Sequence, residues 1–178
     1  MLKPDKTTIL LAFAVILFTS TVQAADKKAL IAQARSAAPS MISADATIMY
    51  RGEVLLKGSN GWVCLPETFP DDKAPMCNDA VWMEMMSAVA TKAPFSATKM
   101  GFSYMLQGDG GVSNSDPYHA DHMNASDYIK EGAHLMIIVP KAALQGITND
   151  PQAGGPYVMW GENDYAHIMI PVENRKND

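Results

Sequence analysis

Apolar residues in this chain follow two periods, one helical and one alternating, broken by polar turns. Near the start, Asp26 to Ala38 (DKKALIAQARSAA) joins good helix formers to a modest stripe of Leu30, Ile31 and Ala34, and Pro39 stops it, which predicts a short N-terminal helix. Residues 46–65 read as a β-meander. Ala46 to Tyr50 and Val54 to Lys57 flank an Arg51-Gly52 turn, and Trp62 to Leu65 follows the Gly58-Ser59-Asn60-Gly61 turn. Pro66 to Pro75 is a polar loop. Asn78-Asp79 caps a helix from Ala80 to about Thr91, with Val81, Met85, Ala88 and Val89 on one side, Trp82 and Met86 close by, and Pro94 beyond it. Gly101 to Gln107 is a strand alternating Phe102, Tyr104 and Leu106 against Ser103 and Met105. From 108 to 127 the chain is polar, a long loop for a compact domain. Lys141 to Gly146 makes a helical turn, and Thr148 to Gly155 a loop. Tyr157 to Trp160, a turn at 161–164 and a last strand close a hairpin before a frayed tail from Glu173. The pattern predicts an α+β domain: an antiparallel sheet of about five to seven strands, one main helix and a short N-terminal helix.

Two segments stand out within it. Gly132-Ala133-His134-Leu135-Met136-Ile137-Ile138-Val139-Pro140 returns 33 residues later as Tyr165-Ala166-His167-Ile168-Met169-Ile170-Pro171-Val172. Both have strand composition. Side chains alternate along a strand, so His134, Met136 and Ile138 share one face, as do His167, Met169 and Pro171. If the two strands pair in register, two imidazoles and two thioethers meet on one patch. The sequences between the segments do not match, so convergent strand composition explains the echo better than duplication does.

The first 24 residues change the picture of where the protein works. Lys3 and Lys6 precede the apolar run Ile9 to Phe18, and Val22 and Ala24 stand where a signal peptidase reads. Ten apolar residues are half of the roughly 20 needed to span a bilayer. The expectation is a signal peptide over 1–24 and one exported domain over 25–178, periplasmic or secreted, with no membrane span after leader removal. Without Lys3, Lys6 and Asp5, twelve basic residues face eighteen acidic ones. With no basic stripe to neutralise phosphates, nucleic acid is excluded as a partner. Cys64 and Cys77 are the only cysteines, and an oxidising compartment favours a disulfide between them; two buried thiols or thiolate metal ligands are the alternatives.

Candidate chemistry gathers at three places. His134, Met136, His167 and Met169 offer imidazole and thioether ligands suited to Cu(I), with Trp160 as a cap and twelve methionines in the chain after the leader. His119 and His122, three residues apart and beside Asp116 and Asp121, offer an N/O set for Zn²⁺ if the segment forms a helical turn. Ser103, Ser113 and Ser115 lie near the same histidines and raise hydrolysis. There is no Gly-x-Ser-x-Gly elbow, and P-loop, dinucleotide and Cys-x-x-Cys signatures are absent. Asp109 to Asp116 lacks the alternating ligands of a Ca²⁺ loop. Trp62, Trp82, Trp160, Tyr104, Tyr118, Tyr157 and Tyr165 supply material for a ligand pocket or a partner surface.

The runs GFSYMLQGDGG (101–111), AHLMIIVP (133–140), GGPYVMW (154–160) and YAHIMIP (165–171) resemble a family of uncharacterised exported bacterial proteins, as do NGWVCLP (60–66) and PMCNDAVWMEM (75–85). The resemblance spans nearly all of the chain after the leader. It implies one exported domain and brings no catalytic residue, fold or ligand with it. The sequence thus points first to an exported binding or structural module of the cell envelope, its partner a small ligand or an envelope protein. A periplasmic copper- or zinc-binding protein comes second and a hydrolase third.

Overall fold

The computed structural model describes residues 16–175. Residues 1–15 of the expected leader, and with them its basic start, lie outside the described residues. Helix α1 (Ile16–Arg35) is longer than the short helix expected at 26–38 and ends at Arg35, before Pro39. A four-residue helix, α2 (Ser40–Ser43), follows. Then come β1 (Thr47–Tyr50), β2 (Glu53–Leu56), β3 (Val63–Leu65), β4 (Met76–Asn78), α3 (Ala80–Thr91), β5 (Gly101–Met105), β6 (Val112–Ser113), β7 (Tyr128–Ile129), β8 (His134–Ile138), β9 (Tyr157–Met159) and β10 (His167–Pro171). Among the described residues, no helix is long and apolar enough to cross a membrane.

The domain is α+β, with a larger and less uniform sheet than the expected five to seven antiparallel strands. Eight strands run in the order β2-β1-β3-β4-β5-β8-β10-β9, and β1 and β3 are parallel. The expected meander fails at β3. After the β1–β2 hairpin the chain wraps round the start of β1 and pairs on its other side, Thr47 with Val63 and Ile48 with Cys64. Gly58 permits this. Its backbone presses on residues 45–47, where a Cβ would stand 2.3 Å from three backbone atoms, and its N–H donates to Thr47 Oγ1. Strand β4 lies where the pattern predicts no element, between the loop at 66–75 and the Asn78-Asp79 cap, because three residues ending in Asn carry no period.

The two faces of the sheet differ. Ala34 and Ala37 near the C-terminal end of α1 pack on Ile48, Cys64 and Cys77, with Trp62 and Tyr104 at the margin. Cys64 and Cys77 lie directly opposite on β3 and β4 and form a disulfide. The other face carries α3. The Asp79 side chain accepts from Trp82 N (2.8 Å) and from Phe102 N (2.8 Å), so one carboxylate caps the helix and ties it to β5. Gly101 lets the helix sit close, since a Cβ there would meet the Val81 side chain at 2.9 Å. In β5 the fully buried positions are therefore Gly101, Ser103 and Met105, the set that alternation had placed opposite the aromatic one.

The 108–127 stretch has more structure than a single loop. Strand β6 pairs with β7 as a separate two-stranded sheet, and His122–Asn124 forms a 3₁₀ turn between them. The tail is also held: Arg175 ion-pairs with the buried Glu131 (2.8 Å) and hydrogen-bonds Gln152.

Candidate functional site

Cross-strand pairing sorts the α3-facing side of the sheet into rows. Met105 lies opposite His134, and continuing the β4–β5 register sets Met76 opposite Met105. The next row is Asn78, Ser103, Met136, Met169 and Tyr157. The third holds Gly101, Ile138, His167 and Met159. Between these rows, α3 and residues 109–112 lies a cavity of about 280 Å³. Seven methionines line it: Met76, Met85, Met86, Met105, Met136, Met159 and Met169. His134 and His167 line it too, with Trp82, Trp160 and Asp109.

All four twin-strand residues therefore share one face and one cavity. The strands are antiparallel, however, so Met136 faces Met169 while His134 faces Pro171. His167 falls four strand positions from His134, about 13 Å along the strand direction. The imidazoles stand at two ends of the cavity with the paired thioethers between them.

Each of these histidines repeats one local arrangement. His134 Nδ1 lies 2.8 Å from the Gly132 carbonyl and His167 Nδ1 2.9 Å from the Tyr165 carbonyl, in both cases two residues back. A carbonyl only accepts, so Nδ1 carries the proton and the Nε2 lone pair is bare. Burial holds both rings neutral. It lowers the His134 pKa, and it takes His167, with His134 adding to the effect, down to about 4. His134 is fully buried, and its Nε2 has no hydrogen-bond partner among the described residues.

The His167 end is aromatic. Trp82 and Trp160 each meet its ring edge-to-face with centroids 5.1 Å apart. Trp160 is in the left-handed backbone region (φ 56°), a costly conformation for an indole-bearing residue. Two bonds hold it there: Trp160 N donates to Asn114 O (2.8 Å) and Nε1 to Ser113 O (3.0 Å).

The His134 end is acidic. Asp109 Oδ1 accepts from Gly111 N and Glu131 N, both at 3.0 Å. Burial, with Glu131 adding to it, pushes the Asp109 pKa up to about 7. Glu131 Oε1 accepts from Tyr157 Oη (2.9 Å) and Arg175 Nε (2.9 Å), while its buried Oε2 lacks a partner among the described residues.

The loop pair is different in kind. His119 and His122 do come close, with ring centroids 6.1 Å apart. Each spends Nδ1 as an acceptor, from Asp121 N (3.2 Å) and Ser113 N (3.1 Å), so each Nε2 carries the proton. Phe69, which lines the cavity, is 5.7 Å from the His122 ring, and that leaves His122 one ring outside the cavity. Among the described residues, no three His, Cys, Asp or Glu side chains converge as a metal site. The serines also bond elsewhere. Ser113 and Ser115 hydroxyls donate to Asp127 (2.8 and 2.6 Å), and Ser103 to Asn78 Oδ1 (2.6 Å).

Sequence reasoning missed Met76, Met105, Asp109 and Glu131. Met76 and Met105 depended on the neighbours of β8, and no local pattern names those. Asp109, one of several acidic residues in a polar stretch, is set apart only by its burial. No family model, curated protein or solved structure matches the chain.

Proposed function

We propose that this protein is an exported binding module, periplasmic or secreted, that holds a small ligand in the cavity between the sheet and α3. The observation that carries the reading is the bare, buried Nε2 of His134 at a wall that also holds seven methionines and two tryptophans. An unpaired buried acceptor costs roughly 1–3 kcal/mol. A ligand that meets it recovers that cost. The complementary molecule has an apolar body and one electron-accepting point, either an N–H or O–H donor or a soft cation. The disulfide supports an oxidising compartment. A hydrolytic reading has less behind it, because the serine hydroxyls nearest a histidine donate to Asp127.

Indole tests the organic half of this reading, since it is apolar with a single N–H donor. With methionine methyls ¹³C-labelled, saturable indole binding shifts the Met136, Met169 and Met105 signals, and Met136→Trp, which fills the cavity, abolishes the shifts. Native mass spectrometry of material from the expressing cells looks for a co-purified ligand in parallel. No methyl shift with either indole or Cu(I), together with no retained mass, rules the reading out.

A further inference from the structure

The ligand class follows from which groups surround the bare nitrogen. We propose that Met76, Met105 and His134 form a Cu(I) site, with the two thioethers and Nε2 as its three ligands; this rests on the binding-module reading above. The three residues occupy adjacent strands at one level of the sheet, Met76 and Met105 continuing the β4–β5 register and Met105 directly opposite His134. Directly opposed residues have Cβ atoms about 5 Å apart. All three are buried and line the cavity.

Their chemistry divides into one rigid and two adjustable ligands. The His134 ring is fixed by its Nδ1–H bond to Gly132 O (2.8 Å), so Nε2 presents its lone pair without first losing a proton. Each methionine has three rotatable side-chain bonds and swings its sulfur toward that nitrogen at small cost. Thioether and imidazole together favour soft Cu(I) over ions that want oxygen. The charge fits as well. The cost of moving an ion out of water grows with the square of its charge, so a monovalent ion enters this apolar cavity far more readily than Zn²⁺. Binding breaks no covalent bond and transfers no electron, since the ion arrives and stays as Cu(I).

The His134 level is chosen over the His167 level because the unpartnered, fully buried Nε2 is there. At the other end, the His167 ring packs edge-to-face with two indoles.

The experiment is an anaerobic Cu(I) titration of the mature protein against the chromogenic chelator bicinchoninate, with X-ray absorption on the loaded sample. The wild type takes up one Cu(I) per chain, with two sulfur scatterers and one nitrogen. Met76→Leu/Met105→Leu keeps side-chain volume and lowers affinity about 100-fold or more, and Met105→Leu alone about tenfold. The single variant decides the matter if the double one does not fold. His167→Gln stays within about threefold of wild type. No uptake by the wild type, unchanged affinity in the Met105→Leu protein, or an equal loss in His167→Gln each overturns the proposal. Indole binding without Cu(I) binding overturns this inference alone; failure of both probes, with no retained mass, takes the binding-module reading with it.

Discussion

The protein has two histidine pairs that look equally promising as motifs, and the fold treats them in opposite ways. His134 and His167 each donate Nδ1–H to a carbonyl two residues back and keep Nε2 bare inside an apolar cavity. His119 and His122 accept backbone N–H groups at Nδ1 and so carry the proton on Nε2. The loop pair is closer together, yet it is the pair without a free lone pair. Proximity is therefore a poor guide to ligation, because the partner of the first nitrogen decides what the second one can do.

The largest expected effect separating the two regions is electrostatic and belongs to Asp109 at the His134 end. Its folded pKa of about 7, against the ordinary 3.8, means that the folded protein holds a proton the unfolded chain has lost between those values. Stability from this group is present below pH 4 and disappears as pH rises through 7. Asp109→Asn keeps the oxygen that accepts from Gly111 and Glu131. It should stabilise the protein at pH 8 by at most roughly 4 kcal/mol, with the gain gone by pH 4. Urea midpoints across pH read this directly, and an equal gain at pH 4 and pH 8 contradicts the assignment.

His167 has the opposite sign. Its folded pKa of about 4 lies below the ordinary 6.5, so between these values the unfolded chain takes up the proton. Stability is present above pH 6.5 and is lost as pH falls toward 4, on the order of 3 kcal/mol. His167→Gln removes that loss, and the variant gains on wild type as pH drops. If the two proteins show parallel pH profiles, His167 is not buried neutral. In the wild type the Asp109 and His167 slopes oppose each other from pH 4 to 6.5, so each single variant steepens the profile in the direction set by the group that remains.

Much of the fold is legible where periodicity is strong and local. The α3 stretch with its Asp79 cap, the β1–β2 hairpin and the twin strands all follow from spacing and turn residues. The eight-strand order is not legible in this way. Strand β3 pairs around the start of β1 because Gly58 has no side chain, and β4 is three residues long. The site divides along the same line. Alternation puts His134, Met136, His167 and Met169 on one face, but only the antiparallel register reveals that the two rings stand at opposite ends. In β5 the small Gly101 and Ser103 carry the buried face because α3 packs there, which apolar alternation alone does not reveal.

The smallest effect in energy gives the sharpest test of the contrast. His122→Ala removes the acceptor for Ser113 N and should cost about 1 kcal/mol, the net worth of an ordinary hydrogen bond near the surface. The ring protons can be read without any mutation. In long-range ¹⁵N correlation spectra at pH 7.5, His134 and His167 should show a protonated Nδ1 with an unprotonated, downfield Nε2. His119 and His122 should show the reverse. A common pattern for all four would mean that backbone partners do not set the tautomers, and the buried pair would lose its distinction. Addition of Cu(I) then divides the buried pair itself: the His134 Nε2 signal moves strongly upfield as its lone pair is taken, while His167, four strand positions away, keeps its own.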